Sequence, residues 1–342
     1  MNHYNSYKLF RWNNDNILYV NDNNYYNDVI LHTGTIIKGQ WENPICVTKP
    51  NDNLIKVISN SNHFLHGHEW NAGYNSVYKI YDNLVKNYLE IQNIQEQNIN
   101  NDLNNEKIYF NLLDAFSFSN SGHNLSFILD AVQYIISNNI QNILIYKNYK
   151  NTNNFKLINL LLPSTCNYIE LNENSIYKIK NVVIIYPEIY NIFKHPNLIN
   201  DLKNIIIDNY GEIYSDCKNK NIILMKTNRN KNVMLEYTRI KCEKMLCMLE
   251  EQNYINLIPE EMDIFKLCIY ILYANKILIS TGSVIYTNKI FINKSSKLIG
   301  VVYMNNKPCD FNGLENISYL SYINNNLTDE DCNDFYNKII NL

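Results

Sequence analysis

Three short stretches carry residue types able to hold a negatively charged ligand. In "LISTGSVIYTNKIF", residues 278–291, an apolar run stops at Thr281-Gly282-Ser283 and an amphipathic run begins at once. Only nine glycines occur in the chain, so one placed at a strand-to-helix turn is informative. The first N–H groups of a helix lack intrahelical partners and carry the positive end of the helix dipole, which suits a diphosphate. Plain connections share this pattern, and the turn alone does not separate the two. The stretch "KTNRNKN" offers Lys226 and Arg229 just past an apolar run, and Arg229 is one of only three arginines, with Arg11 and Arg239. A phosphate clamp and a solvated surface charge both fit Arg229. The stretch "IPEEMD" puts Pro259, Glu260 and Glu261 at the end of a short apolar run. A carboxylate there can accept both ribose hydroxyls of a nucleotide, or it can simply favour the start of the next helix.

Proton transfer calls for a different group. His123, at the start of "HNLSFILDAVQYIISN", has an ordinary pKa that suits a general base near neutral pH. Asp130, seven residues on, falls near the same helical face and could orient the imidazole or replace it. The alternatives are that His123 only caps the helix and that Asp130 is a solvated charge. A further cluster, "HFLHGHEWNAGY", contains His63, His66, His68 and Glu69. His-x-His spacing can bind a metal, but no second ligand group is visible. An acceptor-lining loop with Trp70 and Tyr74 as flat platforms for a sugar ring fits better, and no metal site is expected. Asn288, inside the run after the glycine turn, reads as a packing or capping residue.

Composition narrows the classes. The 342 residues suffice for two domains, 46% of them are hydrophobic and 13% aromatic, and the net charge is −3. No basic stripe stands out, which argues against nucleic acid as the main partner. Asparagine is the commonest residue, alongside much Ile, Tyr and Lys. That skew follows A/T-rich codons, as in a giant virus or an A/T-rich protist, and apolar periodicity runs through the asparagines; the exceptions are 92–106 and the patch at 151–154. The start has no apolar core of signal-peptide length and no run spans a membrane. Eight cysteines occur without a CxxC pair, and Cys242 and Cys247 lack zinc spacing. Reduced thiols in a cytoplasmic protein are expected, with the N-x-S/T matches at Asn124, Asn293, Asn316 and Asn326 unused.

The elements that must position these residues are clearest in the second half. Apolar runs at 221–226, 254–259, 276–280 and 297–304 read as strands, and 233–252, 262–275 and 284–291 as helices. Short connections between alternating strands and helices predict a parallel sheet with both faces covered. Ligands of such sheets sit at the strands' carboxyl ends, so the loops 226–232, 259–262 and 280–284 should converge. The middle repeats the pattern: strands at 107–114, 142–147 and 181–187 with "YIEL" between, and helices at 124–138 and "NFKLINLLLP". Before that, "DVILHTGTIIKG" and "NLIKVISN" suggest β structure ahead of a helix at 75–90. Thr328 followed by acidic residues caps a final helix. The expected plan is α/β: two Rossmann-like domains, 1–210 and 211–342, facing a cleft, with a C-terminal helix able to cross back. In that plan His123 belongs to the first domain, opposite the donor loops.

These stretches resemble glycosyltransferase family 61. "SGHNLSFILDAVQYI" (121–135) is similar to a helix start in that family. "ANKILISTGSVIYTNKIF" is similar to its pattern A-x-x-h-I-x-x-H-G-A-G-h-x-N-h-h-F, and the likeness runs over roughly 107–305. Thr281, Ser283 and Val284 stand where the family has His, Ala and its second Gly, and Lys226-Thr227 replaces its Ser-Arg. The resemblance implies a two-domain fold of the GT-B type and inverting transfer from a nucleotide sugar, most simply a UDP-sugar, to a glycan or protein hydroxyl. It implies no obligatory metal and no resident cofactor. The replaced motif keeps open a non-catalytic binding or scaffold protein, and the two-domain plan also fits a polysaccharide pyruvyltransferase-like enzyme.

Overall fold

The structure is a computed structural model that describes residues 17–20, 24–32, 45–48, 55–58, 107–113, 121–147, 149–172, 175–185, 192–227, 229, 239–281, 285, 288–303, 311, 313–322 and 326–342. The helix expected at 75–90 and the cluster from His63 to Tyr74 lie outside these residues, as do Gly282 and Ser283. The chain divides into two units, residues 1–119 with 127–189, and residues 120–126 with 190–342. The expected boundary was 210/211. It falls earlier because the helix Pro196–Tyr210 packs on the helix Ile264–Leu272, inside the second unit.

The first unit is built on one eight-stranded mixed sheet. Its strands are β1 (Ile17–Val20), β2 (Asn24–His32), β3 (Ile45–Thr48), β4 (Ile55–Ile58), β5 (Tyr109–Asn111), β6 (Asn142–Tyr146), β7 (Asn167–Leu171) and β8 (Ile176–Ile184), in the order β1-β4-β3-β2-β8-β5-β6-β7. β8, β5, β6 and β7 are parallel, as the strand–helix alternation predicts. β2 then runs antiparallel to β8 over eight register pairs, and β3 and β4 continue antiparallel. This unit is therefore a parallel α/β half extended by a hairpin-like half. Helix α1 (Ser121–Ser137) follows β5 and buries Ile128, Leu129, Val132 and Ile135, spaced as one helical face. Tyr134 of α1 meets Phe110 of β5 with ring centroids 5.9 Å apart. Helix α2 (Asn153–Leu161) begins at Thr152, whose hydroxyl accepts from the Phe155 N–H at 3.2 Å.

The second unit holds a five-stranded sheet, all parallel, made of β9 (Asn221–Leu224), β10 (Tyr254–Asn256), β11 (Lys276–Ser280), β12 (Lys297–Tyr303) and β13 (Ile317–Tyr322), ordered β10-β9-β11-β12-β13. Successive strand residues point to opposite faces, yet Ile222, Ile223, Leu224, Ile277, Leu278 and Ile279 are all completely buried. Both faces are covered. Ile223, Leu278, Ile299 and Leu320 pack with Met245, Leu246 and Leu249 of α4 (Glu243–Glu251) and with Cys332, Phe335 and Ile339 of α6 (Asp329–Asn341). Helices α3 (Pro196–Tyr210) and α5 (Ile264–Leu272) pack on each other, with Tyr210 and Phe265 stacked at 4.0 Å. α6 starts with the expected capping box, Thr328 with Asp331. It groups with the second unit, where the Lys276 ammonium donates to the Ile339 carbonyl near its end at 3.4 Å.

Some boundaries differ from the sequence reading. α4 starts at Glu243 because Ile240 and Lys241 are held extended, bridging Thr227 and Asn326. Helical spacing through Leu235 and Ile240 could not reveal that the Ile240 N–H is taken by the Lys226 carbonyl, 2.9 Å away. The run after the glycine turn ends as a 3-10 turn, Lys289–Phe291. β13 was not foreseen; the half-buried pattern of "ISYLSY" is a weak strand signal. Among the described residues no helix is long and apolar enough to cross a membrane.

Asparagine does work usually left to glycine. Asn139 and Asn253, just after α1 and α4, have φ of 51° and 62°. This left-handed conformation ends helices, and asparagine tolerates it better than most residues. Gly313 has φ 84°, and a Cβ there would lie 2.6 Å from the Phe193 ring. Gly313→Ala should therefore destabilise the protein by about 1–3 kcal/mol, measured as a lower melting temperature; an unchanged value would show that Phe193 yields freely.

Candidate functional site

In the second sheet the chain steps from β9 outward to β10, then returns to place β11 on the other side of β9. The strand order reverses between β9 and β11, and α/β sheets bind ligands outside the carboxyl ends of the strands at such a point. Since β10, β9 and β11 are parallel neighbours, their carboxyl ends share one rim. The segments starting at Met225, Leu257 and Thr281 leave from that rim, so the three predicted loops begin side by side.

A side-chain hydrogen bond joins two of them. The Lys226 N–H donates to Ser280 Oγ at 3.1 Å, and the Lys226 carbonyl accepts from the Ile240 N–H at 2.9 Å. The main chain of Lys226 is thus held on both sides at the reversal, with its side chain half-buried. Thr227 is fully buried, and its hydroxyl accepts from the Arg229 N–H at 3.3 Å. Ser280 is 4% exposed. Sequence reasoning missed it: a serine closing the apolar run "KILIS" has no local signal, because its partner lies 54 residues away.

Arg229 is engaged elsewhere. Its Nε donates to both oxygens of Glu243, at 2.9 and 3.1 Å, and its Nη1 pairs with Glu250. Nη2 adds bonds to Glu243 and, at 3.7 Å, to Cys247 Sγ. One guanidinium therefore faces two carboxylates seven residues apart on α4. Hydrogen bonds from Arg229 hold the Glu243 carboxyl below its ordinary value, and the two carboxylates raise the Arg229 pKa further. The partners were legible only as an acidic stripe at helical spacing.

The other candidates fall as follows. Pro259–Glu261 forms a 3-10 turn after β10 on the sheet edge, with Pro259 half-buried and Glu261 exposed. Asp263 caps the next helix, its Oδ1 accepting from the N–H groups of Phe265 and Lys266 at 3.0 and 3.2 Å. Thr281 is half-buried just beyond β11, and Asn288 is buried. His123 lies in the first turn of α1, which leaves β5 where the first sheet reverses its order, between β5 and β8. It falls in the stretch 120–126 that groups with the second unit, not the first. Asp130 is half-buried on the same helix. Seven residues of α-helix rise about 10.5 Å, two turns along one face. Among the described residues no group of three or more His, Cys, Asp or Glu could hold a metal ion, and Cys166, Cys217, Cys242, Cys247, Cys268 and Cys332 are free thiols.

No protein-family model matches the chain, and no curated protein sequence does. Among solved structures, E. coli heptosyltransferase WaaC with ADP-2-deoxy-2-fluoro heptose aligns over 69% of this chain and 99% of its own, at 8% identity and a TM-score of 0.36. A likeness of that size transfers no chemistry to this chain.

The Arg229–Glu243 pair gives a pH signature. A carboxyl depressed in the folded state adds stability above its unfolded value, and loses it as pH falls through the folded value. Glu243 has an ordinary value of 4.5 and is half-exposed, so the effect is modest. The melting-temperature gap between wild type and Arg229→Met should shrink as pH is lowered from neutral past 4.5. A gap that stays constant would mean the pair does not titrate with folding.

Proposed function

We propose that the protein is a glycosyltransferase that takes a sugar from a nucleotide sugar, a UDP-sugar in the simplest reading, and passes it with inversion to a glycan or protein hydroxyl. The observation that carries this reading is the bond of Lys226 to Ser280 at the order reversal of a parallel sheet. The Lys226 backbone there is bonded to Ser280, the residue just before Thr281. The resemblance to family 61 supplies the reaction class.

In this reading the departing diphosphate is held by the Lys226 ammonium and the N–H groups of Gly282 and Ser283. Fixed donors aimed at developing charge lower the barrier to leaving, without a metal. The turn at Pro259, Glu260 and Glu261 takes the nucleoside, a carboxylate accepting its ribose hydroxyls. His123 removes the proton from the acceptor hydroxyl as that oxygen attacks the anomeric carbon and the bond to the diphosphate breaks. Asp130, near the same helical face, orients the His123 imidazole or takes its place as the base. A binding protein without turnover is the second reading, favoured by Thr281 in place of the family's histidine and by an Arg229 already occupied by two carboxylates.

UDP should raise the melting temperature, more than GDP, CMP or phosphoenolpyruvate do. Gly282→Asp should abolish the shift, because a carboxylate repels the diphosphate. Lys226→Ala should weaken UDP binding roughly ten- to a hundredfold, the usual cost of about 1.5–3 kcal/mol for a hydrogen bond to a charged group. A response to phosphoenolpyruvate alone would replace this reading with the pyruvyl-transfer one.

Catalysis is tested separately. His123→Ala should keep UDP binding and lose about 10²–10⁴-fold in turnover, while Asp130→Asn loses less and a chelator changes nothing. A dead Asp130→Asn beside an active His123→Ala would make the carboxylate the base. UDP binding with no transfer by the wild type to any glycan acceptor would leave the binding-protein reading.

A further inference from the structure

We propose that Arg229 is a positioning residue for the nucleotide site: clamped to Glu243 and Glu250 of α4, it fixes the Lys226 backbone and does not itself touch the ligand. The inference rests on the nucleotide reading above and goes against what the sequence suggests for an arginine just past a strand end.

The geometry is that of a locked segment. Lys226 is tied to β11 through Ser280 Oγ and to the chain leading into α4 through the Ile240 N–H. Thr227 bridges Ile240, so the chain leaves the sheet and returns to α4 beside one point. Arg229 is tied to Thr227 through its N–H, and its guanidinium spans Glu243 and Glu250, two turns apart on α4. A bidentate fork on one carboxylate with a second carboxylate on another nitrogen fixes direction as well as distance, which a single lysine pair would not. α4 is itself anchored, with Met245, Leu246 and Leu249 completely buried on the sheet and Lys244 paired to Asp329 at 3.1 Å. The clamp therefore refers the position of Lys226 to the sheet and to α4. It also leaves net negative charge around the guanidinium, two carboxylates against one cation, a poor setting for binding a further anion.

The two roles for Arg229 predict opposite signs, and isothermal titration with UDP reads the difference. If Arg229 reached the diphosphate, Glu243→Gln/Glu250→Gln would release it and tighten UDP binding. As a clamp, the same double variant should weaken UDP binding about tenfold, Arg229→Met should weaken it by a similar factor, and the triple variant should be no weaker than either. Non-additivity of this kind marks residues acting as one unit. Arg229→Lys should recover little, since it lacks the fork. Measurements well below each variant's melting temperature remove plain loss of folding: a role in stability alone would lower the melting temperature and leave the affinity unchanged, which overturns the proposal. Tighter binding by the double variant overturns it too. Wild-type protein that binds no UDP, or Lys226→Ala that binds it normally, overturns the nucleotide reading itself.

Discussion

A fully parallel sheet has to be covered on both faces, and that constraint organises the second unit. Parallel strands need crossover segments, and those segments must bury the apolar surface they cross. Each strand therefore reads as an almost unbroken apolar run, with Ile222 to Leu224 and Ile277 to Ile279 all completely buried. Crossover helices and the helices flanking the sheet supply the cover: α4 and α6 close one face, while α3 and α5 pack together as a pair. Because all five strands run the same way, their carboxyl ends share one rim. The polar loops have no other place to gather.

Among the described residues of that rim, two buried hydroxyls are held by the chain. Ser280 and Thr227 are buried hydroxyls that accept backbone N–H groups from Lys226 and Arg229. A buried polar atom without a partner is costly, so these bonds fix the local chain path as firmly as the apolar packing beneath. Lys226 gains a rigid backbone from this. Arg229 gains something different, because two carboxylates of α4 meet its guanidinium and their charges exceed its own.

The abundance of asparagine also has a structural outlet. With nine glycines in 342 residues, positions needing a left-handed backbone often go to asparagine: Asn139, Asn219, Asn253 and Asn316 all have positive φ. The short polar side chain bonds locally and tolerates that region. Glycine is kept where nothing else fits, as at Gly313 against the Phe193 ring.

The sequence by itself determined what periodicity and local chemistry can encode. Continuous apolar runs marked β6, β9, β11 and β12 as buried strands, 3.6-residue spacing marked α1 and α5, and Thr328 with Asp331 marked the start of α6. It also brought forward loops at the strands' carboxyl ends, since a glycine after one strand and a lysine after another are local facts. Only the tertiary structure decided the strand order that puts β9 beside β11, the return of 190–210 to the second unit, and the antiparallel extension beyond β8. It alone decided the pairings. Ser280 meets Lys226 across 54 residues and Arg229 meets Glu250 across 21, and no periodicity records which distant side chain will arrive. Local pattern reflects burial, a property of one segment. Hydrogen-bond partners and neutralised charges belong to pairs of segments, and they exist only once the sheet has brought those segments together.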